Sequence, residues 1–119
     1  MRIALALPVL ERVHGYFKSE ANFVQNVAAV DLHDRRVDAL SPDACRFCTL
    51  GAIAHFSNAL HPRSLALMEK ADHDATALLT DIIRETHPEL TIVGSNDRKG
   101  WKFVQRMLCK AIDRYNVKK

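Results

Sequence analysis

Two sets of residues in this chain combine type and spacing in a way that could do chemistry. The first is Cys45-x-x-Cys48 with His55 and His61 beyond it. Two thiolates at that spacing begin a zinc ligand set, and a thiol beside an imidazole begins a nucleophilic pair. The second set is C-terminal: Arg98, Lys99, Lys102, Arg106, Lys110 and Arg114, of which the last four recur every four residues. That spacing drifts slowly around a helix and gathers cations into a strip that could meet phosphates or carboxylates.

Each set has requirements that the sequence meets unequally. A structural zinc site needs four placed ligands, and the distances from Cys45 and Cys48 to His55 and His61 match neither a finger nor a ribbon. The expectation is therefore no metal and no other cofactor, with Cys45 and Cys48 as the alternative ligand pair. A reactive thiolate wants a helix N-terminus or a cationic neighbour. With a helix beginning at Pro42, Cys48 lies nearly two turns inside it, where the dipole contributes little. His55 is a further two turns along, about 10 Å, too far to act as base from the same helix. A catalytic Cys48 would need His33, His61 or His87 folded back onto it, but these, like His14 and His73, are scattered, and a lone histidine on such segments is more often a surface or capping residue. The expectation is no catalytic group, with Cys48 as the alternative.

The elements that must position these residues can be read from periodicity and punctuation. Val9, Leu10, Val13 and Phe17 suggest a short amphipathic helix from Pro8 to Phe17. β-Branched residues in Phe23–Val30 and Val37–Leu40, on either side of the polar Asp31–Arg36, predict a β-hairpin. Ser41, Pro42 and Asp43 have the chemistry of a cap, a donor-free first position and an acid at the positive helix end, so a helix is expected from Pro42 to about Asn58. On it Ala44, Cys48, Gly51 and His55 would share a small-residue face. Gly51 costs about 1 kcal/mol of helix propensity relative to alanine, which argues for a neighbour that must approach closely.

Pro62 can open another short helix, to Lys70, and Asp72 or Asp74 can cap a further one in which Ala75, Leu78, Leu79, Ile82 and Ile83 form a buried stripe ending at His87-Pro88. A short extended piece at Leu90–Val93 and a loop through Gly94-Ser95-Asn96-Asp97 should follow. The last helix, Lys99 to Asn116, places Trp101, Val104, Leu108, Ala111, Ile112 and Tyr115 on one face. Together these predict one helix-rich α+β domain over residues 1–119, with a β-hairpin packed on about four helices.

Composition bounds the rest. The chain has 119 residues, 48% apolar and 26% charged, with a formal net charge of +3, the profile of a globular domain with one core. Its start, Met1 to Leu10, imitates a secretory signal, but Glu11 and Arg12 follow at once without a small-residue cleavage site. No apolar run approaches bilayer length. Three cysteines make a poor disulfide framework, so a reducing cytoplasm is the expected setting.

Arg46-Phe47-Cys48-Thr49-Leu50-Gly51-Ala52-Ile53, the hairpin-like segment before it, and Asn96-Asp97 leading into a terminal amphipathic helix resemble, in the same order, an uncharacterised family of small bacterial and bacteriophage proteins. The likeness covers roughly Asn22 to Tyr115. It departs at Asp34-Arg35, where the family has Asp-Gly, and at Ser95, where the family has an aromatic. The family has no assigned activity to transfer, but the resemblance implies a phage or mobile-element origin.

With no complete metal set, no assembled catalytic group and no phosphate loop, the chain reads as a non-catalytic accessory protein. It would bind a host or phage protein of acidic surface through the basic strip of its last helix. The alternatives are a small cysteine-dependent enzyme using Cys48 and a sequence-nonspecific nucleic-acid-binding protein. Membrane attachment is not expected, because the apolar side of that helix is needed for the core.

Overall fold

Ala6, Val9, Leu10, Val13 and Phe17 recur every three or four positions. In the computed structural model, which describes residues 2–116, all five are fully buried. They line one side of helix α1 (Arg2–Tyr16) and its exit. The helix begins before the expected boundary at Pro8, which lies exposed within it. An internal proline removes one helical hydrogen bond and crowds the preceding turn. Burial of Ala6 and packing of Ile3 and Leu5 against the core offset that cost.

The central segment differs most from expectation. The sheet has two antiparallel strands, β1 (Ala29–Val30) and β2 (Arg46–Phe47), with Ala29 opposite Phe47 and Val30 opposite Arg46. The polar turn exists: Asp31 N–H donates to the Arg35 carbonyl, and the Asp31 carboxylate accepts from the amides of His33 and Arg35. Those backbone bonds, Arg35's first, hold the Asp31 carboxyl below its usual range. The expected return strand at Val37–Leu40, however, contributes only Val37 N–H to the Ala29 carbonyl, beside an isolated bridge from Arg36, the last turn residue, to Val30. The chain turns again and pairs through Arg46–Phe47, which buries the large Phe47 ring.

Ser41-Pro42-Asp43 is therefore a turn and not a helix start. Ser41 Oγ accepts from Asp43 N–H at 3.1 Å, and the Ser41 carbonyl accepts from Ala44 N–H at 3.1 Å. Serine, proline and aspartate serve turns and helix starts by the same chemistry, and here strand pairing decides between them. Helix α2 runs from Thr49 to Leu60, with Cys48 as its N-cap.

The two helices expected after Pro62 are one. Ser64 caps α3 (Leu65–Thr86), its Oγ accepting from Leu67 N–H at 3.2 Å, and the helix continues for 22 residues. No Gly or Pro interrupts it, so Asp72 and Asp74 are interior residues and cap nothing. Asp74 is buried in the α3 stripe beside Lys70, 3.6 Å away. Past His87, the expected extended piece is instead a short helix, α4 (Ile92–Gly94), capped by Thr91 Oγ1. The expected loop is one wide π-type turn, Ser95–Lys99, closed by Gly100 N–H on the Ser95 carbonyl.

Gly100, at φ 86°, then redirects the chain into α5 (Trp101–Tyr115), two residues later than expected. Phe103, Val104, Met107, Leu108 and Ala111 form its buried side. Trp101, Ile112 and Tyr115 are half-buried at its margin, and Trp101 Nε1 donates to the Phe17 carbonyl at 2.7 Å. Helix α1 packs mainly on α3 and also on α5 and α2, giving a helix-rich α+β domain with a two-stranded sheet at its side. Among the described residues no helix is long and apolar enough to cross a membrane.

Candidate functional site

Three segments remote in sequence meet at Asn96. Its Oδ1 accepts from Thr49 N–H at 2.8 Å and from Thr49 Oγ1 at 2.7 Å; its Nδ2 donates to the Val24 carbonyl at 3.1 Å and to Asp97 Oδ1 at 2.9 Å. Asn96 is buried, and its two bonds with Thr49 are shielded from water while those of Nδ2 are partly so. Asp97 Oδ1 also accepts from Asn26 N–H at 2.9 Å, and Gln25 Nε2 reaches the carbonyls of Asn96 and Asp97. The wide turn before α5 is thereby tied to the start of α2 and to residues 24–26. These segments border a half-open pocket of about 270 Å³ lined by Asn26, Val27, Ala28, Cys48, Leu50, Val93, Asn96 and Asp97.

Gly51 sits beneath the same junction. A Cβ at this position would lie 2.2 Å from the Ala28 carbonyl oxygen, which accepts Cys48 N–H at 3.0 Å. The close neighbour implied by a glycine inside a helix is thus a backbone carbonyl.

Cys48 does not sit two turns into a helix. It caps α2, with Sγ accepting from Gly51 N–H at 3.3 Å. That position favours a thiolate, yet burial pushes the thiol pKa up and the Asp97 carboxylate adds to the rise, against the lowering by the Gly51 and Leu50 amides. A group raised in this way stays protonated at neutral pH.

No histidine lines the Cys48 cavity. His55 Nδ1 contacts the Ala39 carbonyl at 3.0 Å, and its ring lies against Phe47. His61 is at the opposite end of α2, His87 packs edge-on against Phe103, and His33 is exposed in the turn after β1. Cys45 lies before β2 with Sγ 3.6 Å from the Val30 carbonyl, outside the cavity that Cys48 lines. Among the described residues no three His, Cys, Asp or Glu side chains are grouped so as to hold a metal ion.

The six cations expected to form one surface divide into two groups. Arg114 makes a two-pronged pair with Glu85 of α3, at 2.6 and 2.9 Å, and Lys110 lies 3.8 Å from the same carboxylate. The Arg114 hydrogen bond holds the Glu85 carboxyl below its usual range. Arg98, Lys99, Lys102 and Arg106 are exposed, and none of them is paired with a carboxylate among the described residues. Lys99 Nζ and Arg106 Cζ each lie 5.8 Å from the centre of the buried Phe103 ring. An aromatic face favours nearby cations. Lys118 and Lys119, which the sequence adds to this basic end, lie outside the described residues.

The sequence does not announce the junction at Asn96, since an Asn-Asp pair before a helix is ordinary capping chemistry. No protein-family profile matches this chain, and no curated protein or solved structure matches it significantly.

Proposed function

We propose that this is a non-catalytic binding protein that engages the acidic surface of a protein partner through Arg98, Lys99, Lys102 and Arg106. The observation that carries the reading is that these four cations are exposed without a carboxylate partner among the described residues, while Glu85 occupies Lys110 and Arg114. The buried side of α5 anchors Lys102 and Arg106, while Arg98 and Lys99 sit in the wide turn before it, which the hydrogen bonds of Asn96 tie to α2. Unpaired charges on a rigid face steer association and select a partner of opposite sign. A phage or mobile-element accessory role rests on the family resemblance alone.

A thiol enzyme is the weaker reading, because the Cys48 pKa is raised and no histidine borders it. The test is the triple reversal of Lys99, Lys102 and Arg106 to Glu. The variant should keep its helical circular dichroism and melting temperature and lose its partner in affinity capture from the natural host. Capture unchanged by the reversal would put the binding surface elsewhere. Capture of nucleic acid alone, lost steeply as salt rises, would replace the acidic protein by phosphates.

A further inference from the structure

The cavity beside Cys48 has an electrostatic character opposite to that of the α5 surface. Asp97 is the one acidic or basic side chain among its lining residues; the others are neutral, and Val27, Ala28, Leu50 and Val93 make its apolar wall. Asp97 Oδ1 is held by Asn26 N–H and Asn96 Nδ2, which fixes the carboxylate in place. Among the described residues no donor reaches Oδ2, and no lysine, arginine or histidine pairs with the group.

An anion would meet the Asp97 carboxylate. Of the first-turn amides of α2, Thr49 N–H is taken by Asn96 Oδ1 and Gly51 N–H by Cys48 Sγ, and the Leu50 amide also acts on that sulfur. What remains is a half-buried, oriented carboxylate at the edge of a half-open apolar pocket.

We propose that this cavity binds a small organic ammonium ion, with its charged nitrogen on Asp97 Oδ2 and its apolar body against Val27, Leu50 and Val93. The volume of about 270 Å³ is just below the range of about 300–1,000 Å³ typical of ligand sites. It suits one compact ring or short alkyl chain. Cys48 contributes a neutral, soft wall and no covalent step. This site is independent of the α5 surface and stands or falls separately from it.

Cyclohexylamine is a suitable probe, with cyclohexanol and cyclohexanecarboxylate as neutral and anionic controls of similar shape. Each is titrated into the full chain at neutral pH and followed by amide NMR shifts and by the rate at which iodoacetamide alkylates Cys48. The expected result is saturable shifts at Asn26, Val27, Leu50 and Asp97 with the amine, slower alkylation of Cys48, and neither effect with the carboxylate. Asp97→Asn retains the Oδ1 acceptor and should weaken amine binding by about tenfold or more, the worth of one charge-assisted bond. Val93→Trp, at a residue 50% exposed on the cavity rim, should block binding while leaving the fold intact. Equal binding of amine and cyclohexanol, amine binding unaffected by D97N, or no saturable shift at millimolar amine would each overturn the assignment.

Discussion

Replacing Asn96 tests whether the junction before α5 holds the fold together. Asn96→Leu preserves approximate size but strands Thr49 N–H and the Val24 carbonyl, which now bond to Asn96 inside the protein. A buried polar group left without a partner costs about 1–3 kcal/mol, so N96L should lose about 2–6 kcal/mol, a large part of the ~5–15 kcal/mol that holds a small domain.

Asn96→Asp is the sharper probe. It keeps an oxygen for Thr49 but replaces the Nδ2 donor with an acceptor facing the Val24 carbonyl and Asp97 Oδ1. Burial and the neighbouring carboxylate both raise the pKa of the introduced group. A raised folded-state pKa means that the protonated form fits best. The penalty relative to wild type is therefore smallest below the ordinary aspartate value of about 3.9 and grows by up to about 1.4 kcal/mol per pH unit above it. It levels off once pH passes the folded-state value. Urea unfolding of both proteins between pH 4 and 8, taken as a difference, measures this. A difference that does not change with pH, or an N96L variant within about 0.5 kcal/mol of wild type, would refute the argument.

Three further outcomes follow from the geometry. Gly51→Ala should destabilise by about 1–3 kcal/mol in chemical denaturation, because overlap with the Ala28 carbonyl outweighs the gain of about 1 kcal/mol in helix propensity; a variant at least as stable as wild type would show that residues 26–28 yield easily. At neutral pH iodoacetamide should label exposed Cys109 well before Cys48, whose thiol is half-buried and raised; mass spectrometry of timed samples checks the order, and faster labelling of Cys48 would revive the nucleophile reading. Glu85→Gln should release Lys110 and Arg114 and strengthen partner capture by the α5 surface. Acid cannot stand in for this variant: the pairing is fully present above the ordinary carboxylate range and is lost only as pH falls through the lowered Glu85 pKa. The partner's own carboxylates are already protonated there, so the capture is measured at neutral pH.

What was legible in the sequence follows the range of the interactions. Helices α1 and α5 are visible because a buried stripe repeats every three or four residues whatever it packs against. The start of α2 was misplaced because Ser41, Pro42 and Asp43 satisfy turn amides as well as helix amides. The choice was made by pairing of Arg46 and Phe47 with residues 29–30, which no local pattern encodes. Asp72 and Asp74 resemble caps but lie within α3, because Ser64 supplies the cap and no breaker intervenes. Gly51 showed that something approaches closely, and only the fold names the Ala28 carbonyl. The bonds that shape the candidate sites are longer still in sequence: Thr49 to Asn96 spans 47 positions and Glu85 to Arg114 spans 29. A strip of cations on one helix says nothing of the acid on another helix that pairs with two of them.

Moving Cys48 from mid-helix to the N-cap changes what its sulfur does. A cap must accept a hydrogen bond from the first turn, and Sγ does so from Gly51 at 3.3 Å. Sulfur is a weak acceptor, while serine is among the strongest capping residues. Cys48→Ser should therefore gain capping strength and lose the apolar contact of the larger atom in a partly buried place. These two effects are of similar size, each about 1 kcal/mol. The melting temperature should change little, and partner capture through α5 should be unchanged. A loss above about 2 kcal/mol would mean that sulfur packing, and not capping, is the main contribution of Cys48 to stability. Loss of partner capture in a stable C48S variant would connect the thiol to binding and shift the functional surface from α5 to the cavity.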